Sequence, residues 1–271
     1  MLSTAYGPGL LGRVESSSRR SVAVTRRNLA ALRSMYLLVI LSGLVEPLLY
    51  LFSIGLGVGK LVGDLPLPDG RMVPYATFVA PAMLASSSMF GALSEATFNF
   101  FGKMKYMRLY DGVLATPVGP MEVAFGELLW AMIRGAVYSA SFLAIMVLLH
   151  LTSAGWALVA FPATLLVGFS FGAIGMALST FMRSWQDFDL VGTAQLTLFL
   201  FSGTFAPVTA YPTVLRWLVE ATPLYHAVEL IRGLTTGAPH LGILGHVGYL
   251  LVMCAVGLLV AGRRMGRLLL K

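Results

Sequence analysis

The sequence predicts an all-α polytopic membrane protein with six transmembrane helices. Hydrophobic residues make up 57% of its 271 residues and charged residues only 11%, whereas an average soluble domain has about 25% charged residues. The apolar residues form six long blocks, and a helix needs roughly 20 such residues to cross a hydrocarbon core about 30 Å thick. The blocks run over residues 35–59, 75–101, 124–149, 156–182, 190–208 and 241–262.

Segments rich in basic residues alternate with segments poor in them, and this alternation predicts the orientation of the chain in the membrane. With the N-terminus in the cytoplasm, 14 of the 19 basic residues lie inside and four lie outside, while Arg134 falls within the third block. Cytoplasmic loops concentrate Lys and Arg, so both termini are expected in the cytoplasm. The net charge of +7 follows from this bias, and it favours anionic lipid headgroups over nucleic acid as the partner.

An amphipathic helix is expected over residues 16–33, within a cytoplasmic tail (residues 1–34) that precedes the membrane domain (residues 35–271). Five residues would fall on one stripe of this helix: Val22, Thr25, Leu29, Leu32 and Tyr36. Arginines repeat every seven residues along its flank, which is typical of a helix lying in a membrane interface. A basic flank that only fixes topology remains the alternative.

The cytoplasmic link between the second and third blocks, residues 103–122, reads KMKYMRLYDGVLATPVGPME. Its charged start and its Thr116-Pro117 step predict a short helix that ends at a proline-marked turn. Such an amphipathic piece either docks in a groove of another protein or is a solvated loop. Periodicity alone does not separate these two interpretations.

The segment between the fifth and sixth blocks, residues 204–240, is expected outside the membrane. It contains four prolines but is too apolar for a solvated loop. Residues 214–219 and 224–234 predict two short helices, and neither is long enough to span. A re-entrant or interfacial helical hairpin over residues 209–238 accounts for both features.

Charged residues within the blocks are candidate functional groups, because insertion of such a charge costs roughly 2.5–3.5 kcal/mol. Glu46 precedes Pro47, which would kink the first span, so Glu46 is either a residue of the translocation path or a structural group. Glu127 and Arg134 lie two turns apart and are expected to form a structural ion pair. In the outer hairpin, polar contacts among His226, Glu229 and Arg232 are expected to hold the second helix.

These segments, in this order around six spans, resemble the permease subunit of type-2 ABC exporters, the ABC-2 permease family. The residues that carry the resemblance are Glu46-Pro47, residues 108–117 (RLYDGVLATP), residues 202–207 (SGTFAP) and residues 223–233 (PLYHAVELIRG). The last run is most similar to the branch that holds daunorubicin-type drug exporters and nodulation lipo-oligosaccharide exporters. The chain departs from many relatives at Tyr110-Asp111-Gly112, where they have an acidic residue and a longer polar helix.

The resemblance implies a homodimer or pseudo-dimer of permeases on two cytoplasmic ABC ATPase subunits, which would bind ATP and Mg. It implies that the interfacial helix and the coupling segment, residues 103–118, contact these ATPases. The residues assigned to this coupling are Arg108, Leu109, Tyr110, Asp111, Leu114, Thr116 and Pro117. The hairpin would close an extracellular gate, and the residues assigned to it are Pro207, Pro223, His226, Glu229 and Arg232.

The implied function is export of an amphiphilic drug, glycolipid or lipid-linked saccharide across the bacterial plasma membrane, with no catalytic residue and no cofactor in this chain. The alternative is an ion- or proton-coupled carrier that works without an ATPase through its intramembrane carboxylates. A membrane enzyme acting on lipids would need a polar cluster at one interface, which the sequence does not offer.

Two motif-like patterns do not qualify as sites. Residues 55–60 (GLGVGK) look like a phosphate loop, but Ile54 and Leu61 occupy the positions where that motif needs Gly and Ser or Thr. His226 and Glu229 share a helical face, yet no full ligand set for a metal can be assembled. The single Cys254 cannot form an intrachain disulfide.

Overall fold

Four helices are long and apolar enough to cross a membrane: Tyr75–Tyr106, Glu122–Leu148, Ala154–Ser179 and Gly242–Met265. The structure is a computed structural model that describes residues 22, 25, 45, 48–67, 69–107, 109–114, 116–239 and 241–269. The four helices correspond to the second, third, fourth and sixth predicted blocks. The protein is therefore a multi-pass, largely helical membrane protein.

Some of the predicted features lie outside the described residues. These are the first part of the first span (residues 35–44), nearly all of the helix at residues 16–33, and Glu46, Pro47 and Arg108. The described chain is helical from residue 48 and includes a π-helical stretch at Ser53–Val58. The role expected of Glu46 and Pro47 in the translocation path stays a prediction.

A small β-hairpin, which the hydropathy pattern does not predict, joins the first two blocks. Helix α1 (Gly59–Val62) is followed by strands β1 (Asp64–Pro66) and β2 (Met72–Pro74). The strands pair antiparallel, with Leu65 opposite Val73. This hairpin leads the chain directly into the second span.

Asp69 stabilises the turn of this β-hairpin. Its carboxylate accepts the backbone N–H of Arg71 at 3.0 Å and the Nε of the same residue at 2.6 Å. The backbone hydrogen bond is the main cause that lowers the pKa of Asp69 below its ordinary value. The sequence signal for this turn was present, since residues 68–70 read Pro-Asp-Gly, a strong turn former.

Helix α2 (Tyr75–Ser94) continues through two π-helical stretches, Glu95–Asn99 and Gly102–Tyr106. The second span is therefore one helix of 32 residues. Residues 103–106, predicted to begin the coupling segment, belong to its end. Such π-helical insertions often mark functional sites, and the first of them carries Glu95.

The predicted short helix of the coupling segment is α3 (Leu109–Leu114). A turn follows it at Thr116, whose backbone N–H and hydroxyl both donate to the carbonyl of Val113, at 3.0 and 2.6 Å. The chain then passes Pro117 and enters the third span. The proline-marked turn expected from the sequence is present.

Helices α4 (Pro120–Leu148) and α5 (Ala154–Ser179) form the third and fourth spans. Proline suits the first position of α4 because no intrahelical donor is needed there, and Glu122 accepts the backbone N–H of Gly119 at 2.9 Å. At the start of α5, Ser153 accepts the N–H of the residue three positions on at 3.4 Å. Both starts follow ordinary capping chemistry.

Helix α6 (Phe188–Leu200) is shorter than the predicted fifth span, residues 190–208. Its 13 residues extend about 20 Å, which is less than a hydrocarbon core of about 30 Å. The prediction of a helix reaching residue 208 is therefore wrong at its C-terminal end. The backbone leaves helical geometry at Phe201, with φ −113° and ψ 47°, and Gly203 then adopts a φ of 70°.

The two short helices predicted in the outer hairpin are present as α7 (Thr213–Glu220) and α8 (Pro223–Thr235). Thr222 caps α8 by accepting the backbone N–H of Tyr225 at 3.3 Å, and proline occupies the first helical position. The last helix, α9 (Gly242–Leu269), follows.

Helix α5 packs against α2, α4, α8 and α9 and so forms the centre of the bundle. Its contact with α9 is very close. A Cβ placed on Gly257 of α9 would lie 2.7 Å from the carbonyl carbon of Ala173 in α5. Small residues commonly allow two membrane helices to approach in this way.

Candidate functional site

A buried polar cluster joins α8 to α2 and to the segment after α6; we call Phe78, Gly203, Glu229 and Arg232 the Arg232 cluster. The guanidinium donates from Nη1 to Glu229 Oε1 at 2.5 Å and from Nη2 to the carbonyl of Gly203 at 2.8 Å. Its Nε donates to the carbonyl of Phe78 at 3.2 Å. Arg232 is only 2% exposed, so these contacts replace water in stabilising its charge.

The aromatic ring of Phe78 adds a further contact to the cluster. The guanidinium carbon of Arg232 lies 3.9 Å from the centroid of this ring, within the range of a cation–π interaction. One side chain thereby fixes three separate parts of the chain.

The backbone conformation of Gly203 allows its carbonyl to accept this hydrogen bond. Its φ of 70° lies in the left-handed region that favours glycine. A Cβ at this position would lie 2.8 Å from Cγ2 of Val208. On either side of it, the buried hydroxyls of Ser202 and Thr204 lie 2.7 Å apart. The SGTFAP run therefore forms a tight, hydrogen-bonded bend.

Of the residues that the sequence assigned to the hairpin, Glu229 and Arg232 are paired, whereas His226 does not join them. His226 Nδ1 lies 2.7 Å from Nδ1 of His246 in α9. Its ring also stacks on Tyr249 with centroids 4.0 Å apart. The expected three-residue contact within α8 is therefore wrong in its first member, because the partner of His226 comes from another helix.

The two prolines assigned to the hairpin lie at element boundaries. Pro207 directly precedes a single 3₁₀ turn, Val208–Ala210, and Pro223 is the first residue of α8. Both positions suit a residue that has no backbone N–H to donate. Their part in a gate stays a prediction.

A second polar cluster lies inside the bundle around Glu95; we call Glu95, Asn99, Trp130, Arg134 and Tyr138 the Glu95 cluster. Glu95 Oε2 accepts Arg134 Nη1 at 2.7 Å and Asn99 Nδ2 at 2.6 Å. Glu95 Oε1 accepts Trp130 Nε1 at 3.1 Å. Arg134 Nη2 donates to the hydroxyl of Tyr138 at 3.3 Å. The carboxylate is therefore well satisfied within the span.

The ion pair expected between Glu127 and Arg134 is wrong. Glu127 instead accepts Lys103 Nζ at 2.6 Å, while Arg134 pairs with Glu95. The actual partners, Lys103 and Glu95, lie in the π-helical stretches that continue α2. The periodicity of α4 alone therefore does not reveal them. The spacing of Glu95 and Asn99 by four residues placed them on one face, which was the available signal for the Glu95 cluster.

At the other end of the bundle, the residues assigned to coupling differ in exposure. Tyr110 is 1% exposed, and its ring packs on Phe100 with centroids 5.5 Å apart. Leu109 is partly buried, and Thr116 and Pro117 are exposed. Asp111 and Leu114 lie in α3, but their side chains are outside the described part of the chain, as is Arg108. Tyr110 thus anchors α3 to the bundle, and the turn after α3 is exposed.

An aromatic cluster beside this end was missed from the sequence: Phe98, Phe101, Tyr106, Trp185 and Phe188. Trp185 stacks on Tyr106 with centroids 5.4 Å apart and an angle of 17°. Lys105 Nζ donates to the carbonyl of Arg183, so the loop after α5 is held against the end of α2.

Asp187 shapes that loop. Its carboxylate accepts the backbone N–H of Arg183 at 2.6 Å and that of Ser184 at 3.3 Å. The hydrogen bond from the Arg183 amide is the main cause that lowers the pKa of Asp187 below its ordinary value.

Long apolar helices, whose charged side chains are paired with one another, define a multi-pass membrane protein. The family of ABC-2 type transporters matches residues 20–235 of the chain. Nodulation protein J of Rhizobium leguminosarum bv. trifolii is 32% identical over 251 residues, which cover 92% of this chain and 94% of that protein.

Nodulation protein J of Rhizobium meliloti (strain 1021) is 32% identical over 232 residues, which cover 84% of this chain and 86% of the relative. Nodulation protein J of Bradyrhizobium diazoefficiens is 30% identical over 233 residues, which cover 85% of this chain and 86% of that protein. The chain belongs to the ABC-2 type transporter family. It is a membrane component of an ABC exporter, a class of transporter that works with ATPase partners.

Proposed function

We propose that the protein is the membrane-spanning subunit of an ATP-driven exporter in the bacterial plasma membrane, and that it pairs with a second copy of itself. Two cytoplasmic ATPase subunits on separate chains bind ATP and Mg. The observation that carries the proposal is the family match over residues 20–235. The sequence adds support, because its one glycine-rich run before a lysine departs from the phosphate-loop pattern at Ile54 and Leu61.

The proposed orientation places both termini and the turn after α3 in the cytoplasm. The uneven division of basic residues between the two sides supports it. The β-hairpin and the α7–α8 hairpin then lie at the extracellular end. In this arrangement the Arg232 cluster belongs to the extracellular gate and the exposed turn at Thr116-Pro117 faces the ATPase.

The proposed substrate is an amphiphile: a drug, a glycolipid or a lipid-linked saccharide. The relatives named nodulation protein J, together with the resemblance of residues 223–233 to lipo-oligosaccharide exporters, favour a substrate that joins an acyl chain to sugar residues. The substrate leaves the cytoplasm or the inner leaflet when ATP drives the two permease copies from an inward-open to an outward-open arrangement.

Movement in this mechanism passes through rigid contacts. Tyr110 anchors α3 in the bundle, and the Lys103–Glu127 pair, with Nζ and Oε2 2.6 Å apart, ties the cytoplasmic end of α2 to α4. A push on the turn at Thr116 therefore reaches two spans at once. At the far end, Arg232 binds α8 to α2, so a shift of α2 reaches the hairpin.

Copurification with an ABC ATPase from the same organism tests the proposal. A tagged ATPase should retain the wild-type permease, and the pair should hydrolyse ATP faster when an amphiphilic substrate is added. Thr116→Arg should abolish retention, whereas Thr213→Arg, also at an exposed threonine but in α7, should leave it unchanged. Uphill transport driven by a proton gradient in the absence of any ATPase would overturn the proposal in favour of a carrier.

A further inference from the structure

A cavity of about 170 Å³ opens among α2, α4 and α5 beside the Glu95 cluster. It has enough space for roughly ten water molecules. Its polar side includes Ser94, Glu95, Asn99, Arg134, Tyr138 and Ser139. Leu84, Met132 and Leu165 contribute apolar surface. The cavity therefore presents hydrogen-bonding groups and apolar surface within one membrane-embedded space.

The charges of the cavity are already balanced. Glu95 accepts three hydrogen bonds from Arg134, Asn99 and Trp130, so its carboxylate has little capacity left for a cation. The guanidinium of Arg134 faces that carboxylate at 2.7 Å, so an anion would compete with an existing partner. A neutral ligand with hydroxyl or ether oxygens matches this lining better than an ion does.

Glycines keep the cavity open. Gly91, Gly135 and Gly168 line it, and a Cβ placed on any of them would meet nothing within 4 Å. Glycine within a helix is less favourable than alanine. Three glycines facing one open space maintain room that larger side chains would fill.

We infer that this cavity is a binding site for the neutral, hydroxyl-rich headgroup of an amphiphile, with the apolar tail lying along the adjacent apolar surface. The inference rests on the proposed function, because it names where and by what chemistry the exported amphiphile is held. The hydroxyls have two possible sources, a sugar on the substrate or the glycerol of a neutral lipid, and the two share the same hydrogen-bonding chemistry.

The test uses the full chain in phosphatidylcholine nanodiscs without ATP or ATPase. The probe is octyl glucoside that carries a photoreactive diazirine in its alkyl chain, compared with an octyl sulfate that carries the same group. The glucoside should label peptides of α2 and α4 about tenfold more efficiently than the sulfate. Equal labelling by the two probes would overturn the assignment to a neutral headgroup.

Matched glycine variants locate the site. Gly135→Leu should lower labelling by the glucoside about tenfold, and Gly135→Ala should lower it less. Gly245→Leu should leave it unchanged, because Gly245 is also open but lies on α9 away from the cavity. Thermal unfolding of each variant checks the fold, and Gly91→Leu serves as a second blocking variant. Labelling that neither blocking variant reduces would overturn the site.

Competition separates the two sources of hydroxyls. If unlabelled octyl maltoside competes more strongly, the hydroxyls come from a sugar of the substrate. If monoacylglycerol competes more strongly, they come from a membrane lipid. Because these measurements need no ATPase, they can fail while the ATPase still copurifies, which would overturn the site alone. Lost copurification with intact labelling would overturn the proposed function instead.

Discussion

Arg232 donates from Nη2 to the carbonyl of Gly203 at 2.8 Å, and this bond joins two of the runs that carry the family resemblance. Residues 202–207 form a bend only because Gly203 accepts a left-handed backbone. Residues 223–233 form a helix that is capped at its start by Thr222. The bond makes the bend and the helix one unit, which explains why both runs are needed for the same structure.

Arg232→Ala is predicted to destabilise this unit strongly. It leaves Glu229 buried without its partner and two carbonyls without their donor, and breaking a buried ion pair typically costs about 3–5 kcal/mol. Thermal unfolding of the purified protein in nanodiscs should show a large fall in the midpoint. Arg216→Ala is the matched control, because its pair with Glu220 is exposed and such pairs contribute little. Equal effects of the two changes would contradict the importance given to the Arg232 cluster.

Gly203→Ala is predicted to impair the bend more than Gly70→Ala impairs the β-hairpin. Both glycines have positive φ, 70° and 83°, so both changes introduce backbone strain of about 1–3 kcal/mol. Only at Gly203 would the new Cβ also collide, at 2.8 Å from Val208 Cγ2. Thermal unfolding midpoints of the two variants, measured under the same conditions, distinguish the effect of backbone strain alone at Gly70 from strain plus the Cβ collision at Gly203. A larger loss at Gly70 would show that the bend tolerates displacement of Val208.

The long spans could be predicted because membrane helices are specified locally, by about 20 consecutive apolar residues. Hydropathy places the end of the fifth span too late, because residues 201–208 include Phe201, Phe205 and Val208 but lie outside α6. The bend that follows α6 is held by the contact between Gly203 and Arg232, which lie 29 residues apart in sequence. A hydropathy profile does not detect a contact between residues so far apart in sequence.

The site was predicted less completely because its ion pairs cross between helices. Glu127 and Arg134 share a helix and an approximate face, yet each pairs with a residue of α2. Pairs within one helix, such as Glu229 and Arg232, could be read from their spacing. The partner of His226 lies 20 residues away in α9, and only the packing of α8 against α9 brings the two rings together.

The proposed orientation predicts opposite accessibility at the two ends of the bundle. In a Cys254→Ala background, Met72→Cys should react with a membrane-impermeant thiol reagent in intact cells, because Met72 is 59% exposed in β2. Thr116→Cys, also exposed, should react only after the cells are opened. The reverse pattern would invert the topology.

The loop held by Asp187 is predicted to keep its structure from about pH 5 to pH 8 and to loosen only in stronger acid. Its pKa is lowered in the folded protein because the amides of Arg183 and Ser184 donate to the carboxylate. The stabilisation is therefore complete above the ordinary Asp pKa of about 3.9 and is lost as pH falls through the lower folded value. Hydrogen exchange of these two amides measures it.

Asp187→Ala should accelerate that exchange at neutral pH, because the acceptor is gone. Asp189→Ala is the control, since Asp189 is exposed in the first turn of α6 and two residues away. If exchange at Arg183 and Ser184 were the same in both variants, the carboxylate would not be what orders the loop.

The Lys103–Glu127 pair is predicted to transmit movement between α2 and α4 rather than to bind the ATPase. Glu127 is 5% exposed and Lys103 20% exposed in their side chains, so neither offers surface to a partner. Glu127→Gln should leave the ATPase bound but lower substrate-stimulated ATP hydrolysis, because Lys103 then loses its ionic link to α4.

Exchanging the two charges distinguishes a role in transmitting movement between α2 and α4 from a loss of local stability. Lys103→Glu combined with Glu127→Lys restores opposite charges across the same contact, and coupling energies between neighbouring residues reach about 0.5–3 kcal/mol in such cycles. The double variant should therefore recover much of the stimulated hydrolysis that each single change removes. Additive losses, with no recovery in the double variant, would show that the pair acts only through local stability and that movement passes between the spans by another contact.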